Sequence, residues 1–355
     1  MSKARQLADL GNVYDDGALS NRNVIVNGAM VISQRGTSFT SVGNGDYTLD
    51  RFRVYSSGGG VFNVDQASDG PDDFTKSLKV TVATNDASIG SSDYYILNSR
   101  LEGYDTAQFN FGTSAAKTVT LSFYVKSSLT GTFGGSFTNS SETSAYVFSY
   151  TINAANTWER KTVTITGQTA GTWATDNTNS IRIYWDLGCG SGYVSGSTGW
   201  DSSVYGLSGT VQLVGTSSAT WQITGVQLEV GDTATPFEHR SYGDELARCQ
   251  RYYEVLDNKA FQLVGVVPNA SSNREAPVTL MVTKRATPTI IIDDSTNSDV
   301  GFFRFVGSTK DNGTNTAANV STSNFLHISS STGVSGTVGQ TCAVDNYIYK
   351  VDAEL

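Results

Sequence analysis

Residues 221–253 read WQITGVQLEVGDTATPFEHRSYGDELARCQRYY, and the order of signals in this stretch sets the fold class of what precedes it. Trp221 and Ile223 occupy one phase of a period-two alternation, while Val226, Leu228 and Val230 occupy the other. Gly225 stands at the phase change, which predicts a β-bulge that re-aims a strand in a curved sheet. Gly231-Asp232 breaks the strand, and Pro236 holds Thr235 extended. Ser241 with Asp244 forms a capping box, and Leu246, Cys249 and Tyr253 follow at helical spacing. The stretch is therefore expected to run strand, loop, short helix.

The chain on either side of it is β-rich. In TVTLSFYVK at 118–126, Val119, Leu121, Phe123 and Val125 alternate with Thr118, Thr120, Ser122 and Tyr124. Phe52 and Val54 alternate with arginines, Leu78, Val80 and Val82 with polar residues, and Val163 with Ile165 repeats the pattern. Ile181, Ile183, Trp185 and Leu187 supply another inward set. Near the start, Val24 and Val26 lead to an Asn27-Gly28 turn ahead of Met30 and Ile32. Several short strands with turns between them and no helix predict a two-layer sandwich. After the helix, 261–267, 278–284, 289–292, 302–307, 324–329 and 347–355 are strand candidates for a smaller sandwich or barrel. FFRF at 302–305 and IYKVDAEL at 348–355 are candidate edges for pairing across the subunits of a homotrimer.

Composition agrees with this. The 355 residues carry 16% charged side chains, 36 Gly and 5 Pro, while 38% hydrophobic residues with 17 Tyr and 16 Phe give enough apolar material for a core. A net charge of −9 argues against a sequence-independent nucleic-acid surface. No apolar run is long enough to span a bilayer, so no membrane insertion is expected. Residues 1–20 lack the apolar stretch of a secretory signal. Cys189, Cys249 and Cys342 lack metal or redox spacing and are expected as free buried thiols.

The signature LEVGDTATPFEHRSYGDELARCQRYY resembles the closing motif of a family of tailed-phage virion structural proteins, particularly marine ones. NRNVIVNGAMVISQRGTS at 21–38 and YTLDRF at 47–52 look like that family's opening motif. The resemblance covers about two thirds of the chain. It implies a jelly-roll sandwich similar to carbohydrate-binding modules, in a family that includes tail fibres and head decorations. The expected organisation is an extended docking arm at 1–20, a jelly roll at 21–240, a connecting helix at 241–256 and a small β domain at 257–355. The expected role is a fibre or appendage subunit assembled in the host cytoplasm and carried on the virion. Its arm would meet other virion proteins, and its sandwich is expected to take host-surface glycan. The alternative is a capsid decoration without a glycan role.

Catalysis is not expected. The two histidines, His239 and His327, stand in contexts without a nucleophile elbow or an H-E-x-x-H motif. Asp65, Asp69, Asp72, Asp73, Glu102, Asp186 and Glu229 are available for a two-carboxylate glycosidase, but no internal repeat points to the β-helix of a depolymerase spike. Sugar binding requires aromatic faces flanked by polar groups. Tyr184, outward in its strand beside Arg182 and Asp186, together with the loop residues Trp173, Tyr193, Trp200 and Tyr205, forms the candidate glycan set. The glycine-rich LGCGSGYVSGSTGW at 187–200 is expected to be a mobile loop. Trp185 and Trp221 share phase with aliphatic residues and are expected in the core. No cofactor is expected; the calcium that ties strand ends in similar jelly rolls would fall to Asn27, Gly28 and Glu229 or Asp232, a set poor in carboxylates.

Overall fold

The computed structural model describes Lys3 and residues 21–202, 204–256, 280–291 and 350–355 in full. It adds the backbone of Asp257, Ile292 and Asp293 and of the strands Leu263–Val266, Arg274–Thr279, Phe302–Phe305, Ala317–Thr322, Phe325–Ser330, Thr341–Asp345 and Ile348–Asp352. The docking arm expected at 1–20 lies outside the described residues, apart from Lys3. The chain divides into two units, one ending at Glu245 and including Leu355, the other Leu246–Glu354.

The first unit is an all-β sandwich of two six-stranded antiparallel sheets. One sheet runs in the order β1 (Ser38–Val42), β3 (Val61–Ala67), β4 (Ser77–Thr84), β14 (Thr220–Val230), β6 (Val119–Ser127) and β9 (Glu159–Ile165). The other runs β12 (Gly199–Asp201), β8 (Ala145–Ile152), β7 (Gly131–Asn139), β10 (Asn179–Cys189), β5 (Tyr94–Glu102) and β2 (Phe52–Ser57). The chain crosses repeatedly between the layers, and its last long strand, β14, is laid between β4 and β6. A central strand is buried on both faces, which is why WQITGVQLEV is so apolar.

The expected alternations are the core. Val119, Leu121, Phe123, Val125, Ile183, Trp185, Trp221 and Ile223 are wholly buried between the sheets. Trp185 is tilted against Phe52 and meets Phe123 edge-on, and the Trp221 indole donates to the Tyr150 hydroxyl at 3.2 Å. Gly225 is the expected bulge. The β14–β6 register slips between Thr224 and Gln227, and Gly225 has φ +61°. The slip returns Val226 and Leu228 to the same interior as Trp221. A Cβ on Gly225 would come within 2.7 Å of the Phe74 ring, so both backbone and packing demand glycine.

The two ends of this unit are bonded to each other. Glu238 accepts the amides of Asn21 (2.6 Å) and Asn23 (2.8 Å). The Asn23 side chain joins the Ile25 amide to Leu228 N and Val226 O of β14. Arg240 donates to the carbonyls of Asn23 and Ile25 and pairs with Glu238 and Glu245, while Glu245 takes the Asn27 amide. Asn27 ties Ile32 and Asp50 together. Residues 21–32 are thus not the strands expected around Val24 and Val26; they form an extended clasp around the Asn27-Gly28 turn. The clasp is made largely from residues of the stretches 21–38 and 228–253, so the two are bonded to each other in the fold.

The helix Tyr242–Gln250 starts as expected, with the Asp244 amide donating to Ser241 Oγ at 3.2 Å. It ends before Tyr253, which opens a strand. In the second unit, Tyr253–Asp257, Ile348–Asp352 and Thr289–Asp293 form a three-stranded antiparallel sheet with Ile348–Asp352 in the middle. The edge expected at 348–355 is therefore a central strand, because both of its ladders are already taken. A six-stranded sheet runs Phe302–Phe305, Thr341–Asp345, Leu263–Val266, Arg274–Thr279, Phe325–Ser330 and Ala317–Thr322, which does leave Phe302–Phe305 at an edge. The strand expected at 278–284 lies instead at Arg274–Thr279. Lys284 is buried against Glu254 and also donates to the Gln250 carbonyl, a pairing that compensates the cost of removing both charges from water.

Candidate functional site

The outer face of the second sheet holds the candidate site. Strand β10 turns Ile181, Ile183, Trp185 and Leu187 inward, so Arg182, Tyr184 and Asp186 point out. Register places Asn98 of β5 and Ser136 of β7 on either side of Tyr184, with Arg53 of β2 opposite Asn98. One row thus runs Arg53, Asn98, Tyr184, Ser136. In the neighbouring rows Arg182 pairs with Arg100, and Tyr55 lies opposite Ile96.

The tract 187–200 is not one continuous loop. Val194–Ser195 (β11) pairs in parallel with Gly206–Leu207 (β13), and Gly199–Asp201 extends the sheet beside β8. Gly190 within the tract and Gly206 beyond it serve close approach: a Cβ on Gly190 would lie 1.9 Å from the Gly90 carbonyl oxygen, and one on Gly206 2.1 Å from Asp186 Oδ2. The tract therefore lies directly on the sheet and carries Tyr193 and Tyr205 to its outer face. These rings stack at 4.9 Å and 10°, and Tyr94 meets both edge-on. Tyr184 meets Tyr205 at 5.0 Å. Tyr55, Tyr94, Tyr193 and Tyr205 stay partly exposed around the buried Tyr184 and Ile96.

Glu142, which sequence reasoning missed, organises one side. It sits in the β7–β8 turn with φ +57°, a conformation disfavoured for glutamate. Asn139 fixes the turn by accepting the amides of Thr143 and Ser144. The Glu142 carboxylate then accepts from the hydroxyls of Tyr184 (2.6 Å) and Tyr205 (3.2 Å) and from Arg182. Burial, with this carboxylate beside them, pushes both phenols above their usual range. An acidic residue within NSSET carries no local signal of that role; only the β7–β8 pairing brings it to β10.

The five expected glycan residues separate. Tyr184, Tyr193 and Tyr205 come together, with Tyr184 buried as the floor. Trp173 is a core residue: it packs against Phe111 and Phe137, and its indole donates to the Ala170 carbonyl. Trp200 is in strand β12, edge-on to Trp173 and Tyr146, and donates to Thr166. The two tryptophans thus belong to a separate aromatic cluster.

Four of the candidate carboxylates are engaged with separate partners. Asp186 is buried beneath the 206–210 segment, accepts the Gly188 amide at 2.8 Å, and is pushed by burial up to about 6. Glu229 is on the other sheet, bonded to Thr235 and Gln227. Asp65 bonds Ser38, and Asp69 pairs with Lys126. Glu229 and the Asn27 side chain, weighed for a calcium that the sequence leaves unassigned, are both engaged in internal bonds, and no group of three His, Cys, Asp or Glu side chains fit to hold a metal occurs among the described residues. The His239 ring packs against Phe74 and Phe237. His327 falls in a strand whose side chains lie outside the described residues.

No family model and no curated protein matches the chain. Among solved structures it is similar to the enzymatically active domain of tailspike protein 4 of bacteriophage CBA120, at 14% identity and TM-score 0.34 over 60% of this chain. The match spans 22% of the tailspike chain. It is similar over 57% of its length to the family 11 carbohydrate-binding module of a Clostridium thermocellum cellulosomal cellulase, at 13% identity and TM-score 0.28, covering 98% of that module. The carbohydrate-binding module TmCBM61, solved with β-1,4-galactotriose, matches 59% of the chain and 99% of its own at 9% identity and TM-score 0.30.

Proposed function

We propose that the chain is a structural appendage subunit of a tailed-phage particle, and that its sandwich holds a host-surface glycan on the tyrosine face without cleaving it. The observation that carries the glycan reading is the set of four part-exposed tyrosines on one sheet face, interleaved with Arg53, Arg100, Arg182 and Glu142. Aromatic rings give a sugar an apolar surface, and the guanidinium and carboxylate groups fix its hydroxyls. The rings are held by stacking and by Glu142, so little ordering is required on binding. The scattered carboxylates support binding over hydrolysis, which needs an acid and a second carboxylate about 5–9.5 Å apart across the scissile bond. The particle role rests on the two signatures and on the clasp they build.

A glycan array probed with the whole chain tests the reading. Binding is expected, and Tyr205→Ala should weaken it at least about tenfold, the loss of about 1.4 kcal/mol, while Trp200→Ala leaves it unchanged. Absence of binding, with the subunit located on intact particles, would leave the capsid-decoration role instead.

A further inference from the structure

The glycan recognised on this face is acidic: we infer that Arg53 is the group that takes a carboxylate or sulfate oxygen of the sugar. This rests on the glycan reading above and narrows it to a substrate class. The face carries Arg53, Arg100 and Arg182 against Glu142, a local excess of positive charge on a chain whose net charge is −9. Arg182 is neutralised by Glu142. Arg100 is engaged as well, donating to the Tyr55 hydroxyl and to the main-chain oxygen of Leu355. Arg53 differs from both. Its guanidinium lies 5.1 Å from the Tyr47 ring centre and 4.5 Å from that of Tyr55, yet it has no hydrogen bond or ion pair among the described residues.

A guanidinium held by two aromatic rings keeps its five donors in a fixed plane, the geometry that suits two oxygens of one anionic group. Its Nε is buried without a partner, and so is Oδ1 of Asn98, which faces it across the β2–β5 ladder. Asn98 is wholly buried. Buried polar atoms are rarely left unpaired, so a water held between these two completes their bonding and leaves the outer nitrogens of the guanidinium for a ligand. Gly45 lets the guanidinium pack close against its backbone and so helps to fix it, since a Cβ there would lie 2.7 Å from Arg53 Nη2. A neutral sugar would leave this cation uncompensated, and an acidic polymer would otherwise be repelled by the net charge of the chain. Discrimination for acidic sugar therefore depends on Arg53, and stacking on the tyrosines.

The test is affinity electrophoresis of the intact chain in polygalacturonate, alginate, hyaluronan and chondroitin sulfate, each beside its carboxyl-reduced or desulfated counterpart. The wild type is expected to be retarded by at least one acidic polymer at least about tenfold more than by its neutral counterpart, with retardation falling as salt is added. Arg53→Gln should abolish that preference and Arg53→Lys should keep part of it, each with a cooperative melt lowered by no more than a few degrees through the loss of two ring contacts. Tyr205→Ala should lose acidic and neutral polymers alike. Equal retardation by acidic and neutral forms, or a preference that survives Arg53→Gln, would overturn the acidic inference while leaving glycan binding intact. No retardation by any of the polymers, acidic or neutral, would remove this inference and count against the glycan reading itself.

Discussion

Asp186 shows how one side chain can be misread from sequence and then put to use. It points away from the core like Arg182 and Tyr184, yet the 206–210 segment covers it completely. Its carboxyl is raised from 3.8 to about 6, so the folded state holds a proton that the unfolded chain has already released in the interval between. Stability from this group is thus greatest below the unfolded value and falls as pH rises through the folded one. Measured by urea unfolding, Asp186→Asn should gain on the wild type by up to about 3 kcal/mol between about pH 4 and 7. A constant difference across that range would show that the carboxyl is solvated. Tyr184→Phe should cost about 1.5–3 kcal/mol, because it removes the hydroxyl's bond to the Glu142 carboxylate and the longer one from Arg182 and keeps the ring.

Elements were legible where alternation is local and illegible where a distant partner sets the environment. The strands of WQITGVQLEV, TVTLSFYVK and IRIYWDL show their buried sets directly. Strands β7 and β8 do not: GTFGGSFTN places two glycines mid-strand, where local rules favour a turn. Gly135 is in fact needed because a Cβ there would strike the Phe148 ring and the Tyr184 carbonyl. The 187–200 tract misleads for the same reason, since Gly188, Gly190 and Gly192 are there for close contact. Trp173 is in a loop as expected, but its burial was illegible because the groups that cover it, Phe111 and Phe137, lie far away in sequence. The bulge at Gly225 was visible, and it supports a firm expectation: Gly225→Ala should lower the unfolding free energy by about 2–4 kcal/mol, since it adds a left-handed residue and a clash with Phe74. An unshifted denaturation midpoint would mean that β14 does not need its slip.

For the whole molecule, the decisive contacts lie between the start and finish of the first unit. Arg240 has about 8% of its side chain exposed and sits between Glu238 and Glu245, which makes it a buried link rather than a surface pair. Arg240→Ala should cost about 3–5 kcal/mol because two carboxylates and two carbonyls lose their partner. Glu142→Gln, at the other polar centre, should change stability by less than about 2 kcal/mol. A cooperative melt of both variants separates the two roles: only the first should shift by many degrees.

The clasp also fixes how the sandwich can be used within a longer polypeptide. Asn21 and Glu238 are in direct contact, so the polypeptide comes into this domain and goes out of it at one spot. Such a domain can be grafted as a cassette between other segments without rearranging its interior, and a force applied to its flanks is borne by the Arg240 links before it reaches a sheet.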